Sequence, residues 1–408
     1  MIRQAIGWAV AAAALMIGGC QRESTPSAKM ALADTSPAAA ENPAMNSPDQ
    51  VAWSLFLHVN KPTSSGESTF ETWASDTDTF KPGPVWPTAV VKLKLHAPII
   101  PSVGQALKLK GAKFHIELAP GAGSGKLEET RRNKPAFDFI VANNLFSRSG
   151  LAAGYGKPVD FPLDSIEIKA NWLPIEKVPA FTLNRVAAAD VAKYFHISSD
   201  STGQKYALIS MHVISKQVPN WTWATFESQF NPARCDILGC KDSFGATAPA
   251  VTPNPTPNAG YPACPQTAAL QQLFKDANAD PVFANYCLKG SQVDFTDNTG
   301  LAIRLGNSIT EEGFVEYSSC ITCHSTAGWN KAGKMVHNFG FFDPNGNPYV
   351  GVMEPGWFWT FSGSPPVNQG QPGNVLTATE ADFVWSVPMC AYDDSNPGKP
   401  VPSICAGK

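Results

Sequence analysis

Cys320-Ile321-Thr322-Cys323-His324 combines two thiols one helical turn apart with an adjacent imidazole. The pattern C-x-x-C-H is the attachment sequence of a c-type haem. Each thiol can reach one vinyl group of the same porphyrin, and the neighbouring imidazole then turns toward the iron. Cys320 and Cys323 are therefore expected as thioether anchors of one covalent haem c, with His324 as the proximal iron ligand. A redox-active C-x-x-C pair does not require the His, and a zinc half-site lacks a matching second ligand pair.

The iron's sixth position decides its chemistry. A Met thioether suits electron transfer, and an open position admits peroxide, oxygen or another small ligand. After the motif the candidates are Met335, His337, Met353 and Met389. Met353 is the preferred sixth ligand, because Gly351, Pro355 and Gly356 give its loop a backbone able to hold a side chain over the ring. His58, His96, His115, His196 and His212 form no metal-spaced pair, and His212 on an apolar strand reads as a hydrogen-bonded core residue. Glu311 and Glu312 are adjacent without any requirement that they converge. There is no G-x-S-x-G or H-E-x-x-H motif to suggest a hydrolase.

Such a haem is expected outside the cytoplasm, and the N-terminus agrees. Arg3 followed by an apolar stretch over 5–17 has the form of an export signal, short for a membrane span. It ends in Ile17-Gly18-Gly19-Cys20, which resembles the lipobox of bacterial lipoproteins. Cys20 would then be the lipidated first mature residue, with ordinary cleavage near Gly19 as the alternative. Gln21 after it resembles the outer-membrane sorting preference, so the expected location is the periplasmic face of a bacterial membrane, held by the N-terminal lipid. With Cys20 and the two haem Cys set aside, six of the nine Cys remain. In an oxidising compartment their clustering favours Cys235 with Cys240, Cys264 with Cys287, and Cys390 with Cys405. Half of a metal site at Cys235 and Cys240 is the alternative.

These groups need a frame. The chain has 408 residues, 43% hydrophobic and 16% charged, enough to bury a large core. A net charge of −3 without basic runs argues against a nucleic-acid partner. The 35 Pro and 32 Gly predict many turns. Residues 1–19 read as the signal peptide and 20–48 as a flexible tether. Residues 49–247 read as a β-rich domain, 248–257 as a Pro-rich linker and 258–408 as the c-type haem region. The expected fold class is α+β: a β-rich N-terminal body with peripheral helices, then a smaller helix- and loop-rich haem region. Alternation marks a half-buried strand over 166–172, and further strands are expected over 206–214, 90–95 and 113–118. Helices are expected over 49–57, 137–143, 187–194 and 266–276. Aromatic residues gather near Trp73, Trp223 and Trp357; packing is the simple account of each. One cluster should nevertheless cover the haem, and Trp357, Phe358 and Trp359 are nearest to His324 in sequence.

Phe70-Glu71-Thr72-Trp73-Ala74, Ser165-Ile166-Glu167-Ile168-Lys169-Ala170, Trp221-Thr222-Trp223-Ala224-Thr225-Phe226-Glu227, Leu305-Gly306-Asn307-Ser308, the haem motif and Asp382-Phe383-Val384-Trp385-Ser386-Val387-Pro388 together resemble the large exported bacterial cytochrome c family proteins. The resemblance spans most of the mature chain. It implies one covalent haem at Cys320, Cys323 and His324 and assigns no reaction. Three functions are compatible with this reading: a membrane-anchored electron carrier serving a periplasmic redox partner, a peroxidase- or oxidase-like haem enzyme, and a haem sensor or binding protein. The first is preferred.

Overall fold

A computed structural model describes residues 42–88, 90, 92–98, 125–254, 261–312, 314–336, 349–360, 374–398, 402 and 405. Cys20, His115, His337 and the expected strand over 113–118 lie outside the described residues.

The fold is α+β, centred on a seven-stranded antiparallel sheet. Its members are β1 (Ala74–Ser75), β2 (Leu127–Arg132), β3 (Ile166–Pro174), β4 (Ile197–Ser199), β5 (Lys205–Ser215) and β6 (Thr222–Ser228). After the short pair β7 (Cys240–Lys241) and β8 (Ala250–Val251), β9 (Tyr286–Gln292) completes it. The spatial order is β1-β2-β3-β5-β6-β9, with β4 beside the first residues of β5.

Both faces of the central strands are covered, so the half-buried strand expected over 166–172 is buried on either side. One face, carrying Ile168, Trp172, Val213 and Phe226, packs on the helix Pro48–Val59. Pro48 fixes the first helical φ and Asp49 places an acid in the first turn, both favourable at an N-terminus. Asp49 also accepts hydrogen bonds from Ser243 N (2.7 Å) and Ser243 Oγ (2.6 Å). Phe56 stacks on Phe226 at 4.1 Å between ring centroids, fixing the helix to the sheet.

The other face carries the chemistry. Antiparallel register places Lys169, His212 and Thr225 in one cross-strand row and Glu167, Ile214 and Trp223 in the next. Side chains two residues apart along a strand share a face. Over the second row lies a core that includes Ile214 and Trp223 from the sheet together with Ile321, Trp329, Trp385 and Val387.

Several expected boundaries differ. The tether ends before Asn42, because Asn42 caps the helix Pro43–Asn46, its Nδ2 donates to the Gln217 carbonyl (2.8 Å), and Ala44 is buried. The Pro-rich strip at 248–257 does not divide the core: β9 pairs with β6 across it, and residues 42–408 form one compact unit. Among the described residues of 90–95 no ladder forms: Leu93 makes one isolated bridge to Asp200, Lys94 N donates to the Glu129 carboxylate (3.2 Å), and the Lys92 carbonyl accepts from Arg131 Nη2 (3.3 Å).

All three expected disulfides are present: Cys235–Cys240, Cys264–Cys287 and Cys390–Cys405. The first removes the metal alternative at that pair. Among the described residues no helix is long and apolar enough to cross a membrane.

Candidate haem site

Cys320, Cys323 and His324 lie on the six-residue helix Cys320–Ser325. A helix this short has little stability of its own, so its position depends on partners outside it. Ser319 at its N-cap makes no side-chain capping bond. Gln292, the last residue of β9, replaces it: its Oε1 accepts from Ile321 N (3.3 Å) and its Nε2 donates to Ser319 Oγ (3.1 Å). Farther along, Trp385 Nε1 and Thr326 Oγ1 both donate to the Cys323 carbonyl (3.1 and 2.7 Å). The sheet thereby anchors one end of the helix, and the segment around Trp385 anchors the other.

His324 is oriented by a single bond with a definite sense. Its Nδ1 lies 2.8 Å from the Phe383 carbonyl, which can only accept, so Nδ1 carries the proton and Nε2 keeps its lone pair. The Phe383 carbonyl is presented by an unusual turn, with Asp382 and Phe383 both at positive φ (47° and 68°). For residues other than Gly this conformation costs about 1–3 kcal/mol each and persists only when surrounding contacts enforce it. Asp382 supplies those contacts. Its carboxylate accepts from Lys216 Nζ (2.6 Å), Trp221 Nε1 (3.3 Å) and Phe161 N (2.8 Å). The indole of Trp223 lies 4.6 Å from the His324 ring, centroid to centroid, and limits its rotation.

The two thiols and the His324 imidazole line one cleft. Ile214, Trp223, Leu305, Phe314, Trp385 and Met389 form apolar wall, while Thr130, Lys169, His212 and Glu311 are polar. Cys320 and Cys323 are free, not joined to each other. Burial, reinforced by the Glu311 charge, raises both thiols and pushes Cys323 up to about 12. Raised thiols are unlike the low-pKa thiolates of redox-active C-x-x-C pairs. Among the described residues, no three or more His, Cys, Asp or Glu side chains converge as a bare metal ion would require. Two thiols and one unprotonated imidazole nitrogen in a partly apolar cleft are, by contrast, the donor set that fits a covalently held haem.

The expected sixth ligand is not in this cleft. Met353 packs instead against the cluster of Trp357, Phe358 and Ala378. That aromatic cluster, nearest to His324 in sequence, is likewise absent from the cleft wall, where Trp223, from another of the three clusters, and Trp385 stand. Met335 is drawn into the core, and its backbone bridges to Trp329. Met389 does line the cleft, from the helix Ser386–Cys390.

His212, expected to be a simple core histidine, also lines the cleft, and its Nε2 is 3.2 Å from Glu311 Oε1. Glu311 and Glu312 diverge: Glu312 pairs with Lys126. The segment 305–311 makes this arrangement. Asn307 Oδ1 accepts from Ile309 N and Thr310 N (2.9 and 2.6 Å), curling the chain so that Asn307 N donates to Glu311 Oε2 (2.6 Å). Burial raises the Glu311 carboxyl, but the charge and hydrogen bond of His212, with Asn307 N and Lys169, outweigh it and leave Glu311 below the ordinary carboxylate value. The sequence signals were the Leu305-Gly306-Asn307-Ser308 string and the polar residues Lys169 and His212 within apolar strands.

No known protein family, curated protein or solved structure matches this chain. The functional reading therefore rests on the site.

One pH effect follows from His324. Burial pushes its imidazole down to about 4; the Phe383 carbonyl opposes this, and the charges of His212 and Lys169 add to it. In a haem-free chain the folded state keeps the ring neutral, whereas the unfolded state takes up a proton below about 6.5. Stability from this group is fully present above pH 6.5 and is lost as pH falls toward 4. At about 1.36 kcal/mol per pH unit the loss is at most about 3 kcal/mol, less where cleft water screens the ring. Urea unfolding of the haem-free chain at several pH values should show this decline, and His324→Phe should flatten it.

Proposed function

We propose that the chain is a monohaem c-type cytochrome that carries electrons at the periplasmic face of a membrane. The observation that carries this reading is the joint placement of Cys320, Cys323 and His324 on one partly apolar cleft, with His324 Nδ1 committed to the Phe383 carbonyl. Bound there, haem would supply reversible one-electron exchange. The chain's own residues do the rest. Cys320 and Cys323 would hold the ring by two bonds, and the Phe383 carbonyl holds the His324 imidazole in one tautomer. Trp223, Trp385, Leu305 and Phe314, which line the cleft, would shield the bound group from water.

The three disulfides support export to an oxidising compartment. Anchoring through acylated Cys20, an outer-membrane location and a periplasmic redox partner are part of the same proposal and rest on the sequence.

A second reading, a haem enzyme acting on a small substrate, is favoured by one observation: Lys169, His212 and Glu311 bring ionisable groups into the cleft. Oxidised and reduced absorption spectra of the purified protein, with and without carbon monoxide, test the choice. An electron carrier predicts a reversible c-type spectrum unaltered by carbon monoxide. Immediate carbon monoxide binding with peroxide-dependent turnover would select the enzyme, and absence of any haem absorption after expression with haem-attachment machinery would end both.

A further inference from the structure

Two histidines open into the cleft, and they are held in the same way. His324 gives its Nδ1–H to the Phe383 carbonyl and keeps Nε2 free. His212 Nε2 faces the Glu311 carboxylate at 3.2 Å, so its polar partners gather at this nitrogen. Asn307 Nδ2 carries two N–H bonds: one goes to Thr225 Oγ1 (2.9 Å), and the other lies 3.3 Å from the same His212 nitrogen. Its orientation is fixed because Asn307 Oδ1 accepts two backbone bonds. Nδ1 of His212 is therefore the nitrogen left over, with no hydrogen-bond partner among the described residues. An imidazole with one nitrogen donated to a carboxylate or carbonyl and the other free is the usual arrangement of a metal-binding histidine.

The geometry points to His212, through Nδ1, as the second axial ligand of the iron, oriented by Glu311 and Asn307. This inference rests on the haem reading and deepens it: the site is a two-histidine site, and Met353 has no part in it. A ring filling the cleft excludes the water that otherwise reaches His212, so its Nδ1 would be buried without a partner unless it met the iron. Met389 is the rival on the same wall. Among the described residues no hydrogen bond orients its sulfur, and a Met among Trp385, Val387 and Cys390 is accounted for by packing. Two imidazoles give a lower potential than one imidazole with a thioether, because the thioether favours ferrous iron.

The test uses the full haem-loaded chain, with haem retention on a denaturing gel established first. Low-temperature electron paramagnetic resonance and near-infrared magnetic circular dichroism are then recorded on the wild type, His212→Ala and Met389→Leu. The wild type should be low-spin with two nitrogen ligands, show no sulfur-to-iron band and fail to bind carbon monoxide. His212→Ala should become high-spin and bind carbon monoxide at once, and added imidazole should restore the low-spin signal, which separates lost ligation from misfolding. Met389→Leu should leave the signal unchanged. Three results overturn the inference while the haem reading stands: a sulfur-to-iron band that Met389→Leu abolishes, a low-spin spectrum unaltered by His212→Ala, or a wild type already high-spin. A chain with no retained haem overturns both.

Discussion

A chain with Cys320 and Cys323 both replaced by Ala should carry no covalent haem when exported alongside haem-attachment machinery. Among the described residues these are the free thiols, the other six cysteines being locked in disulfides. No described cysteine is left to substitute for them. The fold itself should survive, because the helix Cys320–Ser325 is positioned by Gln292, Trp385 and Thr326 and not by the thiols. Cys320 Sγ makes one weak contact, 3.5 Å to the Leu305 carbonyl. Haem staining after a denaturing gel should fall to background while far-ultraviolet circular dichroism stays at the wild-type level. Each single variant should retain haem through one thioether. Full staining of the double variant would place the attachment elsewhere.

Arg132→Met should destabilise the protein by about 3–5 kcal/mol, the cost of leaving buried charges without their partner. Arg132 is fully buried at the end of β2 and holds two carboxylates, Glu167 (Nε to Oε1, 3.0 Å) and Asp76. It also donates to Thr79 Oγ1 (2.7 Å) and to Ser386 Oγ (3.1 Å). Burial alone would lower the guanidinium; the charges of Asp76 and Glu167 reverse this and raise it further. Removing the cation leaves both acids in a medium that disfavours their charge, and the Glu167 carboxyl is already raised by burial with Arg132 in place. The loss should reach the cleft too, since Ser386 begins the helix that carries Met389. Chemical denaturation gives the stability change. Arg148→Met, which breaks a partly exposed pair with Asp393, is the control and should cost no more than about 1 kcal/mol.

The parts of this molecule legible in its sequence are those written in local chemistry. Alternation marked β3, an apolar run marked β5, and Asp49 with the spacing of Trp53, Phe56 and Leu57 marked the helix that covers one face of the sheet. The disulfides could be paired because their members are 5, 23 and 15 residues apart. The haem motif is five consecutive residues. What required the structure is long-range. β9 includes Lys289 and Gly290, so it reads as a poor strand, and its place beside β6 is set by pairing across the Pro-rich strip. The Gly and Pro of the loop around Met353 do not say where its side chain goes; it packs against the cluster of Trp357 and Phe358. His212, Asn307 and Glu311 come from a central strand and a distant turn, and only the folded chain shows that they meet. The turn at Asp382 and Phe383 was visible as a string of residues. Its purpose, presenting a carbonyl to His324, depends on two positive φ angles that no residue type announced.

The central claim is that this chain carries one haem on Cys320 and Cys323. Peptide mass spectrometry of the exported protein tests it most directly. The account predicts that the proteolytic fragment containing residues 320–324 gains the mass of one haem, with no haem on any other cysteine. Recovery of that fragment with two unmodified thiols, or with a disulfide between Cys320 and Cys323, would contradict it.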